Sequence, residues 1–123
     1  ELEAQAKATG LYNETTDLSV VADADFVHTD TWINMEFFNP DGSVKESFKA
    51  EFERRKKVLL PYQLNKALLD KYHSNAKLMH CMACHVPYEI SRDAIEHPNS
   101  IIFDQAENRL HVQKAIIVEL LGL

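Results

Sequence analysis

Ala76-Lys77-Leu78-Met79-His80-Cys81-Met82-Ala83-Cys84-His85 decides between two kinds of protein. Its second half holds Cys-x-x-Cys-His, the pattern at which haem is covalently attached in c-type cytochromes. Its first half, 76–80, reads as a short strand running into that pattern. A c-type cytochrome needs an export signal, a second axial ligand and a largely helical wrap. The start of the chain, Glu1-Leu2-Glu3-Ala4-Gln5-Ala6-Lys7, is acidic and helical in character, and it is not a signal peptide. A zinc site fits no better, because His80, Cys81, Cys84 and His85 crowd into six residues, too close to close one tetrahedron. The strand reading is therefore adopted, with a haem protein attached at Cys81 and Cys84 as a remote alternative.

Outward from this stretch the chain alternates helix and strand. Residues 1–9 read as the end of a helix stopped by Gly10, and Asp17 as the N-cap of a short helix to Ala22. Phe26-Val27-His28-Thr29 is β-prone, and Asn39-Pro40-Asp41-Gly42 is a turn. Residues 46–60 predict a charged helix with Glu53 and Lys57 spaced for an i,i+4 pair. Pro61 interrupts it, and 63–72 continue it. Ser91 caps a brief helix to Glu96. Ser100-Ile101-Ile102-Phe103 reads as a third strand, and 106–121 as an amphipathic helix with Leu110, Ile117 and Leu121 on one stripe. This rhythm predicts an α/β fold, a three-layer open parallel sheet with flanking helices. Three strands are few for such a sheet, and the chain opens on a helix tail without an initiator Met. It reads as a single partial domain over 1–123, processed, trimmed or excerpted, whose first strand is missing.

Composition bounds the function. Of 123 residues, 13 are basic and 19 acidic, a net charge of −6 that argues against nonspecific nucleic-acid binding. No apolar run approaches the roughly 20 residues of a membrane helix. Two cysteines, three residues apart, do not make a disulfide scaffold, so a reducing, cytoplasmic setting is the default. No metal or cofactor is expected.

Open parallel sheets bind ligands at the carboxyl ends of their strands. Here those ends deliver Asp30 with the Trp32–Met35 loop, then His80 to Cys84, then Asp104, Gln105, Glu107, Asn108 and Arg109. Arg109, placed in the first turn of the last helix, opposes the helix dipole unless an anion neutralises it; its alternative is a pairing with Glu107 or Asp104. Asp30 serves either as a ligand group or as a turn cap, and Trp32 as platform or core. Cys81 is a reactive group only if its surroundings lower its pKa. The loop from Trp32 to Phe38 is unusually apolar, so it is either tucked into a core or waiting for a partner.

Taken together, these clusters resemble the ornithine carbamoyltransferase family, in its C-terminal amino-acid-binding domain. Asp30-Thr31-Trp32-Ile33-Asn34-Met35-Glu36 resembles the family's Asp-x-Trp-x-Ser-Met-Gly. His80-Cys81-Met82-Ala83 resembles His-Cys-Leu-Pro, and Leu60-Pro61-Tyr62-Gln63-Leu64-Asn65 resembles Pro-Tyr-Gln-Val-Asn. Phe103-Asp104-Gln105-Ala106-Glu107-Asn108-Arg109 matches the family's last motif, Phe-Asp-x-Ala-Glu-Asn-Arg. On this resemblance, Cys-x-x-Cys-His is a coincidence created by Cys84.

The resemblance implies transfer of a carbamoyl group from carbamoyl phosphate to the amine of ornithine or a related compound. It implies Arg109 and Cys81 as the catalytic pair, one stabilising developing negative charge and the other orienting. It implies Asp30, Asn34, Met35 and Met82 as the substrate-binding set, with main-chain carbonyls near Cys81 and Met82 accepting from the carbamoyl NH2. The Trp32–Phe38 loop is expected to close over substrate. An N-terminal carbamoyl-phosphate domain, with its Ser-Thr-Arg-Thr loop, is absent from this chain, and a trimer is the expected assembly. Three departures stand out. Asn34 replaces Ser, Glu36 replaces Gly, and Ala83 replaces Pro, which predicts loss of a rigid element and of a cis bond at that turn. The departures also support an alternative, a noncatalytic amino-acid-binding or regulatory module of the same fold.

Overall fold

The computed structural model describes residues 2–123. Helix α1 (Leu2–Ala8) is followed by a 3-10 turn, Leu18–Ala22, whose N-cap is Asp17, accepting from the Ser19 N–H. Strand β1 is Phe26–Thr29, as its β-prone composition predicts. The predicted helix over 46–72 is broken into pieces: a 3-10 turn Glu46–Phe48, α2 (Lys49–Leu59), a 3-10 turn Leu60–Tyr62 at Pro61, and α3 (Lys66–Lys71). Asn65 caps α3 by accepting from the Leu68 N–H at 2.7 Å. Strand β2 (Lys77–His80), α4 (Arg92–Ile95) and α5 (Ile102–Leu121) complete the chain.

β1 and β2 pair in parallel, Phe26 with Lys77 through Thr29 with His80. The class is therefore α/β with a small open parallel sheet and flanking helices. The third strand shrinks to one bridge. Leu78 N–H donates to Asn99 O and Leu78 O accepts from Ile101 N–H, both at 3.0 Å, and at Ile102 the chain is already helical. Ile101-Ile102-Phe103 has strand propensity, but the Gln105 N–H closes a helical turn on Ile101 O at 2.8 Å and buries Ile102 completely. Arg109 thus lies past the first turn of α5, so the dipole argument for it does not hold. The acidic first-turn residue is Asp104, which suits the positive end of the helix.

Two apolar clusters hold the chain together. Leu64, Leu69, Leu78, Ile90, Ala94 and Ile102 pack beneath the sheet. Ile33, Phe37 and Phe52 form the second, with Trp32, Phe38, Phe48 and Tyr88 against them. The expected stripe of α5 does not join either cluster: Leu110, Ile117 and Leu121 are exposed. On α2, Glu51 rather than Glu53 carries the ion pairing, receiving Arg54 Nε at 2.6 Å and Arg55 Nε at 2.8 Å. Among the described residues no helix is long and apolar enough to cross a membrane.

Candidate functional site

The carboxyl ends of β1 and β2 meet at a single hydrogen bond. The Cys81 thiol donates to Asp30 Oδ1 at 2.9 Å, and the Thr31 N–H donates to the same oxygen at 2.6 Å. Parallel register makes this possible, because Thr29 and His80 are paired and the next residue of each strand emerges on the same edge. The thiol and the Thr31 amide hold the Asp30 carboxyl below its ordinary value. Reciprocally, the Asp30 carboxylate and burial push the Cys81 thiol up. Cys81 is therefore a neutral hydrogen-bond donor, not a thiolate nucleophile. Asp30 Oδ2 receives no hydrogen bond among the described residues and is free to accept one from a ligand.

The turn after β2 is held from below. His80, fully buried, accepts the Met82 N–H on Nδ1 at 2.8 Å, which leaves its proton on Nε2, facing Glu89 Oε1 at 3.4 Å. This approach does not make a hydrogen bond, and Nε2 and Glu89 Oε2 both lack hydrogen-bond partners among the described residues. Glu89 Oε1 also accepts the His85 N–H. Thr31 Oγ1 reaches Ala83 O at 3.3 Å and ties the turn to the Asp30 loop. The Met82–Ala83 peptide is cis, so Ala83 in place of the family's Pro has not removed the cis bond, contrary to the expectation from that departure. The main-chain carbonyls of Cys81 and Met82 receive no hydrogen bond among the described residues, and they stand open at the rim.

From α5, Gln105 reaches this rim. Its Oε1 accepts the His80 N–H at 2.9 Å, and its Nε2 lies 3.3 Å from His28 Nε2. Arg109 sits one turn further along, beside Gln105, Asn108, Val112 and Gln113 around a shallow cleft of about 290 Å3. It forms neither the predicted pairing with Glu107, which faces His111, nor one with Asp104. The structure thus joins Asp30 and Cys81 directly, with Met82 next in the turn and held by His80. It brings α5 to the neighbouring His80 and His28 through Gln105, whereas Arg109, one turn further on, is joined to the rim by no hydrogen bond or ion pair among the described residues.

The Asp30 loop is anchored rather than free. Ile33 and Phe37 are buried, Arg55 Nη1 donates to Trp32 O at 3.1 Å, and the Arg55 guanidinium lies over the Phe37 ring. Between these anchors Asn34, Met35 and Glu36 are exposed, and Asn34 Nδ2 donates to Glu36 Oε1 at 3.3 Å. The members of Cys-x-x-Cys-His are directed apart: Cys81 towards Asp30, and His85 onto the Phe38 ring, centroids 5.1 Å apart. That is not the arrangement a covalently attached haem needs. Glu89 and Gln105 carry the support of the rim; Gln105 is among the polar residues expected at the strand ends, whereas no motif or spacing marks Glu89.

A parallel sheet with an acid and a thiol at its carboxyl edge defines an α/β ligand-binding domain of the open-sheet class. The family model for the Asp/Orn binding domain of aspartate/ornithine carbamoyltransferase matches residues 1–120. The ornithine carbamoyltransferase of Thermococcus kodakarensis is 39% identical over 105 residues, covering 85% of this chain and 30% of the relative. That of Corynebacterium diphtheriae is 38% identical over 120 residues, 97% of this chain and 34% of the relative. Among solved structures, ornithine carbamoyltransferase from Pyrococcus furiosus superposes with a TM-score of 0.65 at 39% identity, over 82% of this chain and 29% of that one. An N-acetyl-L-ornithine transcarbamylase complexed with carbamyl phosphate and N-succinyl-L-norvaline gives 0.61 at 25%, over 85% and 29%. The chain belongs to the aspartate/ornithine carbamoyltransferase family, as its Asp/Orn-binding domain. It spans about a third of the length of the relatives it matches.

Proposed function

We propose that this chain supplies the amine-binding half of a carbamoyltransferase site, and that the protein moves a carbamoyl group from carbamoyl phosphate to ornithine or a related amine. The observation that carries the reading is the Asp30–Cys81 hydrogen bond at the sheet edge, with Oδ2 left over. Asp30 Oδ2 accepts an N–H of the acceptor amine and aims its lone pair at the carbamoyl carbon. The C–N bond forms, the carbonyl oxygen gains negative charge, and the C–O bond to phosphate breaks as phosphate leaves, taking up the proton that the amine sheds. The open carbonyls of Cys81 and Met82 accept from the carbamoyl NH2 and fix its plane. Cys81 orients the carboxylate and takes no covalent part. Arg109, a fixed cation with several donors, meets the developing charge on the carbonyl oxygen and the leaving group. Asn34 and Met35 flank the acceptor.

The carbamoyl-phosphate half belongs, on this reading, to a preceding N-terminal domain. The exposed apolar residues of α5, among them Leu110, Ile117 and Leu121, supply a face on which another domain or subunit packs. The reading extends to a cytoplasmic homotrimer serving arginine metabolism. The complete encoded polypeptide, given carbamoyl phosphate and a primary amine, is expected to release phosphate and carbamoylated amine in equal amounts. Asp30→Ala is expected to lower kcat/KM at least about a hundredfold through lost positioning. Unchanged turnover in Asp30→Ala contradicts the assignment.

A further inference from the structure

Three hydrogen bonds run in series from β1 to the rim. The Met82 N–H donates to His80 Nδ1 at 2.8 Å, and the His80 N–H donates to Gln105 Oε1 at 2.9 Å. Gln105 Nε2 then donates to His28 Nε2 at 3.3 Å. His28 stands on β1 in register with Met79, two residues before Asp30. The series therefore starts at an exposed imidazole and ends on the turn that carries the Cys81 and Met82 carbonyls.

A carboxamide has one accepting end and one donating end. His80 is fully buried, so its N–H takes the Gln105 oxygen, and the amide nitrogen is left to face His28. An imidazole nitrogen accepts there only when the ring is neutral, with its proton on Nδ1. A protonated ring donates from both nitrogens, and two donors then oppose each other. The amide can turn its oxygen to His28, which strips the acceptor from the buried His80 N–H, or it can draw away from His28. Either movement loosens the series.

The charged surroundings of His28 are few. On β1 the neighbour is Asp30, and on β2 it is the His80 ring. After the Cys81 thiol and the Thr31 amide, these two imidazoles add to what holds the Asp30 carboxyl below its ordinary value. From α5 the facing group is Gln105, which is uncharged. The histidines that approach carboxylates among the described residues are His80, His85 and His111, and His28 is in no ion pair there.

We infer that neutral His28 is a positioning residue for the rim: it fixes the Gln105 amide, Gln105 fixes His80 and the Met82 turn, and protonation of His28 releases them. The effect on turnover rests on the carbamoyl-transfer reading, whereas the effect on the rim rests on the hydrogen bonds alone. Imidazole changes charge between about pH 5 and 8, the range in which the release is read.

The test uses the complete encoded polypeptide and two variants at this exposed position. His28→Gln keeps an acceptor without a titrating group, and His28→Phe keeps a ring without an acceptor. With L-ornithine and saturating carbamoyl phosphate, kcat/KM of each variant is taken as a ratio to the unmodified protein, in which the ionisation of ornithine cancels. At about pH 8, His28→Gln is expected to keep at least half of kcat/KM and His28→Phe to lose at least threefold. At about pH 5.5 the His28→Gln ratio is expected to rise at least threefold over its value at pH 8. A ratio that stays flat with pH, or His28→Phe equal to the unmodified protein, overturns the inference. NMR separates the two layers. The Gln105 side-chain amide and the Met82 amide are expected to shift in step with the His28 ring as pH falls, and to lose that movement in His28→Gln. That pattern with no carbamoylated ornithine from any of the proteins removes the transfer reading and upholds the coupling. Amides that ignore the His28 titration, or that move equally in His28→Gln, overturn the coupling whatever the turnover.

Discussion

The Cys81 thiol donates to Asp30 Oδ1 across 2.9 Å, joining residues 51 positions apart at the ends of two paired strands. Each group sets the other's chemistry. The carboxylate keeps the thiol protonated, and the thiol helps keep the carboxylate charged. The sheet edge therefore presents a carboxylate whose second oxygen receives no hydrogen bond among the described residues.

Removing the acid should release the thiol. In Asp30→Ala the Cys81 ionisation is expected to fall from above its ordinary 9.0 toward that value, because its largest cause has gone. Thiolate absorbance near 240 nm against pH checks this, and a titration that stays put contradicts it. The same linkage shapes stability. Asp30, depressed in the folded state, contributes above its unfolded value of 3.8 and loses that contribution as pH falls through the folded value. Cys81, raised, contributes below 9.0 and loses it as pH rises through the folded value. Asp30→Ala is expected to flatten stability at both the acid and the alkaline end.

Gln105 is the link between α5 and the rim. Gln105→Ala leaves the His80 N–H without its acceptor and should cost about 1–3 kcal/mol, read by urea denaturation. Gln105→Glu, which keeps the accepting oxygen, should cost less. Equal losses in the two variants contradict the assigned bond.

Glu89 supports the cis turn from beneath. Glu89→Ala strands the His85 N–H, with an expected cost of about 1–3 kcal/mol for that unpaired group. Glu89→Gln retains an acceptor for His85 and should recover most of the loss. Stability and turnover are expected to fall together in Glu89→Ala, since the Cys81 and Met82 carbonyls sit on that turn.

The acceptor loop depends on its anchors. Ile33→Ala opens a hole at a fully buried position and should cost about 2–5 kcal/mol. Backbone relaxation of Asn34, Met35 and Glu36 should show faster motion in that variant, and acceptor KM should rise while carbamoyl-phosphate KM holds. A loop as rigid as before contradicts the anchoring role.

Local patterns carried much of this fold in plain view. β1 has the bounds that its β-prone run implies, and Asp17 caps the turn expected of it. Ser91 marks the start of α4, yet its hydroxyl turns to Asp93 instead of capping. Where pattern misled, tertiary contacts decided. Ile101-Ile102-Phe103 looks like a strand, but burial of Ile102 draws it into α5, and that shift moved Arg109 out of the first turn. Glu89 offers no periodic signal at all. Its partners, His80 and His85, lie across a cis-containing turn that no spacing rule describes. The Trp32–Phe38 loop divides in a way composition does not express, with Ile33 and Phe37 inward and Met35 outward.

Mapping amide chemical shifts of the complete polypeptide, titrated with a primary-amine acceptor in the presence of carbamoyl phosphate, tests the central assignment most directly. The largest changes are expected at Thr31, Met82 and Ala83, around the free oxygen of Asp30. Changes confined to the large cavity of about 710 Å3 beside His73, Ser74 and His97 at the amino end of β2, with the Thr31 and Met82 amides unmoved, contradict it.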